Sequence, residues 1–406
     1  MPISVLYIHH SGMFGGSSRS LLELIQAFPD KTVIPYLITP HGNVPDVFQN
    51  ENILTMRTLG IAQMDNTKYG FYRGYRWLVL LREFFYICPT LFALLRARLK
   101  WKKIDVVHIN EVTMILSIIL AKWIFRKPII VHVRSVQQTQ KTRWRTWLVT
   151  SILHYFADVI IAIDDTVARS LPTDLPIQVI HNGFSLEKKT KSTDTLPFAS
   201  LNISANSLKI AMIGTLHPMK GVYEFVEAAK LCKERNIKAY FFIIGSNIRA
   251  LHGFREFILK KLQFAHNVGN DLRDSVQQHG LESYVHFIDF TLNIQEIYEN
   301  IDLLCFPSHL NAVGRPVFEA AFSKVPSIVA IHDPLADTIV DGETGVCIAP
   351  KNATALADAI EYFYRKPEEI RRMGDLAYKL ALKNFDIRVN AQKVLGLYES
   401  VQPCVK

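Results

Sequence analysis

The chain alternates short apolar runs with longer amphipathic stretches. Runs at 5–8, 33–39, 106–109, 129–133, 159–163 and 177–180 have the length and β-branched content of buried strands, and the segments between them are long enough for helices. After a polar stretch at 186–207 a second series begins with a strand ending at Ile213 and continues at 240–244, 285–288, 303–306, 327–330 and 345–348. Such alternation predicts open parallel sheets with helices packed on them. Two helices are marked by spacing: Leu21, Leu24, Ile25 and Phe28 follow a stretch containing Gly12, Gly15 and Gly16, while Val222, Phe225, Val226 and Ala229 follow a turn containing Gly214, Pro218, Lys220 and Gly221. The connection 245–282 is long enough to carry an inserted helix, and the chain from 355 onward reads as helical.

A length of 406 residues suits two domains rather than one core. The expected division is 1–185 and 208–385, joined by 186–207, with 386–406 a terminal helix that could return to the first domain. A hydrophobic fraction of 49% with 20% charged residues describes a globular protein, and the alternation of runs makes its class α/β. The five cysteines include no Cys-x-x-Cys pair, which argues against a disulfide framework or a zinc site and favours a reducing, cytoplasmic setting. The amino terminus enters a strand at once, without the features of a signal peptide. The longest apolar runs, near 84–95 and 114–125, are about 12 residues, whereas a membrane-spanning helix needs about 20.

Charge is uneven. Residues 1–185 carry 20 Lys and Arg against 12 Asp and Glu, leaving 26 of the 46 cations against 25 of the 37 acids for the rest. Within the basic half, 71–103 interleaves aromatics and Leu with Arg and Lys, Arg96, Lys100 and Lys103 share one helical face, and 141–148 forms a second basic aromatic patch. These are the ingredients of helices lying against an anionic membrane surface. Ordinary domain helices with solvated cations are the alternative. Nucleic acid is disfavoured because no binding motif accompanies the charge.

Candidate chemistry gathers where strands end. The stretch 307–320, PSHLNAVGRPVFEA, leads from a buried run through a Gly-containing loop into a helix carrying Glu319, with Pro316 suited to its first turn. The glycine-rich loop before residue 17 and the turn ending at Lys220 are suited to an anion. In the first half, strands end in His108, Asn110 and Glu111 and in His132, Arg134 and Ser135, at the sheet edge where sites form. Arg134 is the candidate acceptor contact there.

Four stretches, GGSSR from Gly15, GTLHPMKG from Gly214, PSHLNAVGRPVFEA from Pro307 and DGETG from Asp341, resemble the family 4 glycosyltransferases in order and spacing, and HNGF at 181–184 is similar to that family's Asn-Gly. The resemblance implies the GT-B fold, two Rossmann-like domains facing each other across a cleft. It also implies retaining transfer of a sugar from a nucleotide diphosphate sugar, held mainly by the second domain, to a glycan or lipid-linked acceptor held by the first. The donor set carried over is Gly15, Gly16, Gly214, Thr215, Lys220, Asn311, Ala312, Val313, Gly314, Arg315 and Glu319. In it, Lys220 neutralises the diphosphate, Glu319 receives ribose hydroxyls and the Gly16 N–H meets the distal phosphate, while His132 faces the sugar. The catalytic set is then Lys220, His132 and Glu319. No cofactor or metal is expected, since the chain contains no Asp-x-Asp. The setting expected is cell-surface polysaccharide or lipopolysaccharide synthesis at the inner face of the plasma membrane.

Two positions depart from the family pattern: Asn311 stands where a glutamate is common, and Thr215 where an arginine is. They leave open a non-catalytic sugar-nucleotide-binding subunit and, on the same fold, a nucleotide-sugar epimerase.

Overall fold

A computed structural model describes residues 2–68, 72, 77–139, 144–184, 203–204, 206–245, 268–289, 291 and 293–402. The expected connection therefore lies mostly outside the described residues, as do parts of 71–103, of 141–148 and of 245–282. The chain divides into two compact units, residues 1–185 with 385–406, and residues 186–384.

The first unit is built on a sheet of seven parallel strands, β1 (Ile3–Ile8), β2 (Val33–Pro40), β3 (Leu54–Thr58), β4 (Val106–Ile109), β5 (Ile129–Val133), β6 (Val159–Ala162) and β7 (Ile177–Val179), in the order β3-β2-β1-β4-β5-β6-β7. Its helices are α1 (Gly16–Gln26), α2 (Val44–Asn50), α3 (Val79–Phe85), α4 (Ile87–Lys100), α5 (Ile115–Phe125), α6 (Trp144–Phe156) and α7 (Asp165–Arg169). The second unit has six parallel strands, β8 (Leu208–Ile213), β9 (Ala239–Ile244), β10 (Val285–Ile288), β11 (Leu303–Phe306), β12 (Ser327–Ala330) and β13 (Gly345–Ile348), in the order β10-β9-β8-β11-β12-β13. Its helices are α8 (Val222–Glu234), α9 (Val268–Gln278), α10 (Ile294–Glu299), α11 (Arg315–Phe322), α12 (Ala353–Arg365) and α13 (Pro367–Asn384). The last helix, α14 (Ile387–Ser400), belongs to the first unit, where Ile387, Ala391, Val394 and Tyr398 join its core.

The two-residue period of a strand sorts side chains onto both faces of each sheet. In β1, Leu6 and Ile8 enter one core layer while Val5 and Tyr7 enter the other. In the second unit Met212 and Ile243 lie on one side, and Ala211 and Phe242 on the other. Strands buried on both faces are continuous apolar runs, which is why the central ones are plain in the sequence. β3 and α2 are not anticipated there. An edge strand, Leu54–Thr58, needs few buried side chains, and Met56 and Thr58 supply them between exposed neighbours. α2 is only seven residues, with Pro45 in its first turn.

In each sheet the order reverses beside the first strand, between β1 and β4 and between β8 and β11. Loops leaving those carboxyl ends diverge and open a crevice, the usual place for a ligand in such sheets. The glycine-rich loop 9–15 follows β1, the Lys220 turn follows β8, and the Pro307 loop follows β11.

Candidate active site

In the second unit, the turn after β8 and the loop after β11 are locked together. Gly221 has φ +76°, and a Cβ there would lie 2.0 Å from the Pro307 carbonyl oxygen, so both its conformation and its neighbour require glycine. The His309 N–H donates to the Met219 carbonyl at 2.9 Å, and the Met219 N–H donates to His217 Nδ1 at 3.1 Å. This close turn brings Lys220 Nζ to 5.4 Å from the centre of the Phe306 ring at the end of β11. A Cβ on Gly314 would meet the same ring at 2.3 Å, so Phe306 is the shared floor of both loops. Burial lowers the pKa of Lys220.

Gly314 begins α11 without a side-chain cap, and Pro316 occupies its first turn. One turn on, Glu319 is buried: Tyr298 from α10 donates its hydroxyl to Oε2 at 2.8 Å, and Arg315 Nε donates to Oε1. Asn311 has φ +40°, a conformation that asparagine tolerates better than most residues. Its Oδ1 accepts the His332 N–H at 2.8 Å and ties the loop after β11 to the segment after β12. His309 Nε2 lies 2.9 Å from Glu224 Oε1 on α8, a further tie between the two motifs. Gly214 (φ +152°) has open space where a Cβ would be, and Thr215 follows it.

In the first unit, the polar residues at strand ends form one chain of contacts. Arg134 donates from Nε to Asn110 Oδ1 at 3.0 Å, and from its two terminal nitrogens to Asn182 Oδ1 at 2.5 Å and His132 Nδ1 at 3.3 Å. Asn110 Nδ2 lies 2.9 Å from His9 Nδ1, and His9 Nε2 lies 3.0 Å from Ser18 Oγ on α1. Because arginine can only donate, His132 Nδ1 accepts, which leaves the proton of the neutral ring on Nε2, a buried atom with no partner among the described residues. Burial, followed by the charge of Arg134 and then His108, pushes the His132 pKa well down. His108, paired with Tyr398 through Nδ1 at 2.7 Å, is lowered to about 3 by burial and then by Arg134. Burial likewise lowers His9, and it lowers His10 to about 4, with Arg134 adding to both. Glu111 is raised by burial to about 7, although the Val112 N–H and the Ser135 hydroxyl donate to it.

Gly15 and Gly16 face open space: beyond its own chain neighbours and helix backbone, a Cβ on either would meet no atom of the described residues within 4 Å, and Gly15 begins α1 without a side-chain cap. A helix start of this kind, approached over glycine, admits an anion.

Of the residues singled out in the sequence, Gly214, Thr215, Lys220, the 311–315 loop and Glu319 lie at the switch point of the second sheet. Gly15, Gly16, His132 and Arg134 lie around that of the first. Sequence reasoning did not single out Phe306, Tyr298, His309 with Glu224, or His9. Only His9 carried a usable signal, a polar residue directly after a buried parallel strand. Among the described residues no three His, Cys, Asp or Glu side chains come together as a metal site requires.

Residues 14–188 match the family model described as Glycosyltransferase Family 4, and residues 195–380 the model described as Glycosyl transferases group 1. The glycogen synthase of Mycobacterium tuberculosis is 20% identical over 326 residues, covering 75% of this chain and 73% of its own. The lipopolysaccharide core biosynthesis mannosyltransferase LpsB of Rhizobium meliloti is 23% identical over 300 residues, covering 72% and 79%. Among solved structures, Anabaena Alr3699/HepE in complex with UDP and glucose superposes with a TM-score of 0.74 at 18% identity, over 98% of this chain and 100% of that one.

Proposed function

We propose that this chain, which belongs to the family 4 glycosyltransferases and has their GT-B architecture of two Rossmann-like domains, moves a sugar from a nucleoside diphosphate sugar to a glycan or lipid-linked acceptor with retention of configuration. The observation that carries the donor assignment is the lock between the Lys220 turn and the Pro307 loop, which sets a cation and a helix start on one ring, Phe306. That combination suits a diphosphate.

In the proposed reaction the bond from the anomeric carbon to the phosphate oxygen breaks and the acceptor oxygen bonds to that carbon on the same face. The acceptor's proton passes to the departing phosphate oxygen. Negative charge then grows on the diphosphate, and Lys220 with the N–H groups of the helix starts stabilises the transition state more than the ground state. His132 donates from Nε2 to the sugar. Glu319 holds the ribose, its carboxylate oriented for the hydroxyls by Tyr298 and Arg315. Asn311, whose carbonyl oxygen is used on His332, offers the sugar its amide N–H group and backbone. Arg134 stands beside the acceptor and has a second task, fixing the tautomer of His132 and the orientation of Asn110. Lys220 and the helix starts, rather than a metal, meet the phosphate charge, so a chelator should leave turnover unchanged.

The resemblance to LpsB and the uneven charge support a place in surface polysaccharide or lipopolysaccharide synthesis, with the enzyme on the anionic inner face of a membrane. HepE, solved with UDP and glucose, makes UDP-sugars the first donors to try. The test is a thermal-shift panel of UDP-, GDP- and ADP-sugars followed by product analysis. One donor should raise the melting midpoint and yield a glycoside of unchanged anomeric configuration. Isomerisation of the donor without acceptor would instead mark an epimerase, and binding without transfer a non-catalytic subunit.

A further inference from the structure

Helix α4 is apolar on its inner and its outer side, and α3 on its outer side. The inner side is ordinary: Thr90, Ala93, Leu94 and Ala97 of α4 are buried, as is Glu83 of α3. The outer side of α4 carries Leu91, Phe92, Leu95 and Leu99, all exposed, at i, i+1, i+4 and i+8. Leu81, Phe84 and Phe85 continue that stripe along α3, and Tyr86 joins the two helices in αR conformation (φ −81°, ψ −5°) without a reversal. Phe84, Phe85 and Phe92 are 69%, 72% and 68% exposed. Singly exposed apolar residues are unremarkable, but an unbroken stripe along two helices is not.

Charge identifies what covers it. At 100° per residue, Arg96 and Lys100 flank the α4 stripe on one side and Arg98 on the other, all three exposed, and Lys102 and Lys103 follow. An apolar stripe bordered by cations on both edges fits the boundary between acyl chains and anionic headgroups. The 14 residues of α4 extend about 21 Å, too short to cross a hydrocarbon core of about 30 Å, and the buried inner side fixes the helix flat against the unit. Next to α4 packs α5, and next to α5 packs α6, which exposes Trp144 and Trp147, side chains suited to the headgroup level.

We infer that the outer stripe of α3 and α4 enters an anionic lipid surface to the depth of its headgroup–acyl boundary, with the flanking cations on the phosphates. This rests on the membrane-surface reading above, and it names the part of the molecule that makes the contact.

Full-length protein is sedimented with phosphatidylcholine vesicles, with and without phosphatidylglycerol, while tryptophan emission is followed. The wild type should partition onto the anionic vesicles with a blue shift and be released by salt. The triple substitution Phe84→Ser, Phe85→Ser, Phe92→Ser should lower partitioning at least about tenfold with an unchanged melting midpoint, because all three side chains are exposed. Replacing Arg96, Arg98 and Lys100 by Ala should abolish the preference for phosphatidylglycerol. Equal binding by the triple variant would overturn the assignment of this face and leave the membrane reading standing. A wild type that binds neither vesicle would end both. A wild-type dimer that the triple variant dissolves, with no lipid binding, would give the face to a second copy of the chain.

Discussion

Burial lowers the pKa of Lys220 and so disfavours its charged form, and in the proposed reaction an arriving diphosphate offsets that cost. Lys220→Ala should therefore reduce kcat about 100- to 1,000-fold, the magnitude seen when one preorganised oxyanion donor is removed, while leaving the melting midpoint unchanged or raised. Glu319 depends on neighbours for its orientation. Tyr298→Phe removes one hydroxyl from a buried carboxylate and should cost about 1–3 kcal/mol in stability, read from denaturant unfolding, with a raised donor KM. The dependence of Glu319 on Tyr298 is not visible in sequence, since the two lie 21 positions apart, and neither is that of Asn110 on His9, 101 positions away; packing alone brings each pair together. Lys220 and Glu319 themselves are legible because each follows an apolar run, Lys220 at the end of a turn and Glu319 one turn into a helix that starts after a loop.

Among elements, the legible ones are those whose burial is complete. β1, β4 and β11 are buried at every residue and stand out as apolar runs, whereas β3 alternates exposed and inward positions at the sheet edge and blends with the loops around it. The exposed stripe on α3 and α4 is similarly hidden in one dimension, since a buried and an exposed apolar face read alike in a helical sequence. The turn between β8 and α8 is the element on which the donor reading depends. Gly221→Ala would demand φ +76° of an alanine and drive its Cβ into the Pro307 carbonyl, so a loss of at least about 2 kcal/mol is expected, together with loss of donor binding.

At the scale of the whole molecule, three buried histidines and the half-buried His10 make stability depend on pH. His9, His10, His108 and His132 have folded pKa values lowered from 6.5, so the unfolded chain takes up protons that the native state refuses. Their contribution is complete above pH 6.5 and is lost as the pH falls toward their folded values. Glu111, raised from 4.5 to about 7, acts in the opposite sense: its contribution is complete below pH 4.5 and declines as the pH rises to 7. Four groups outweigh one, so the first unit should lose stability on acidification below pH 6.5, by about 1.4 kcal/mol per pH unit for each excess proton. All five tryptophans lie between residues 77 and 147, so intrinsic fluorescence follows that unit within the intact chain.

The central claim is that the Lys220 turn and the Glu319 helix together hold a nucleoside diphosphate. Calorimetric titration of wild type and Lys220→Ala with UDP, GDP and ADP tests it most directly. One nucleotide should bind the wild type, and bind the variant at least about tenfold more weakly, a difference of about 1.4 kcal/mol. Equal affinity for both proteins, or no binding of any of the three to the wild type, would contradict the account.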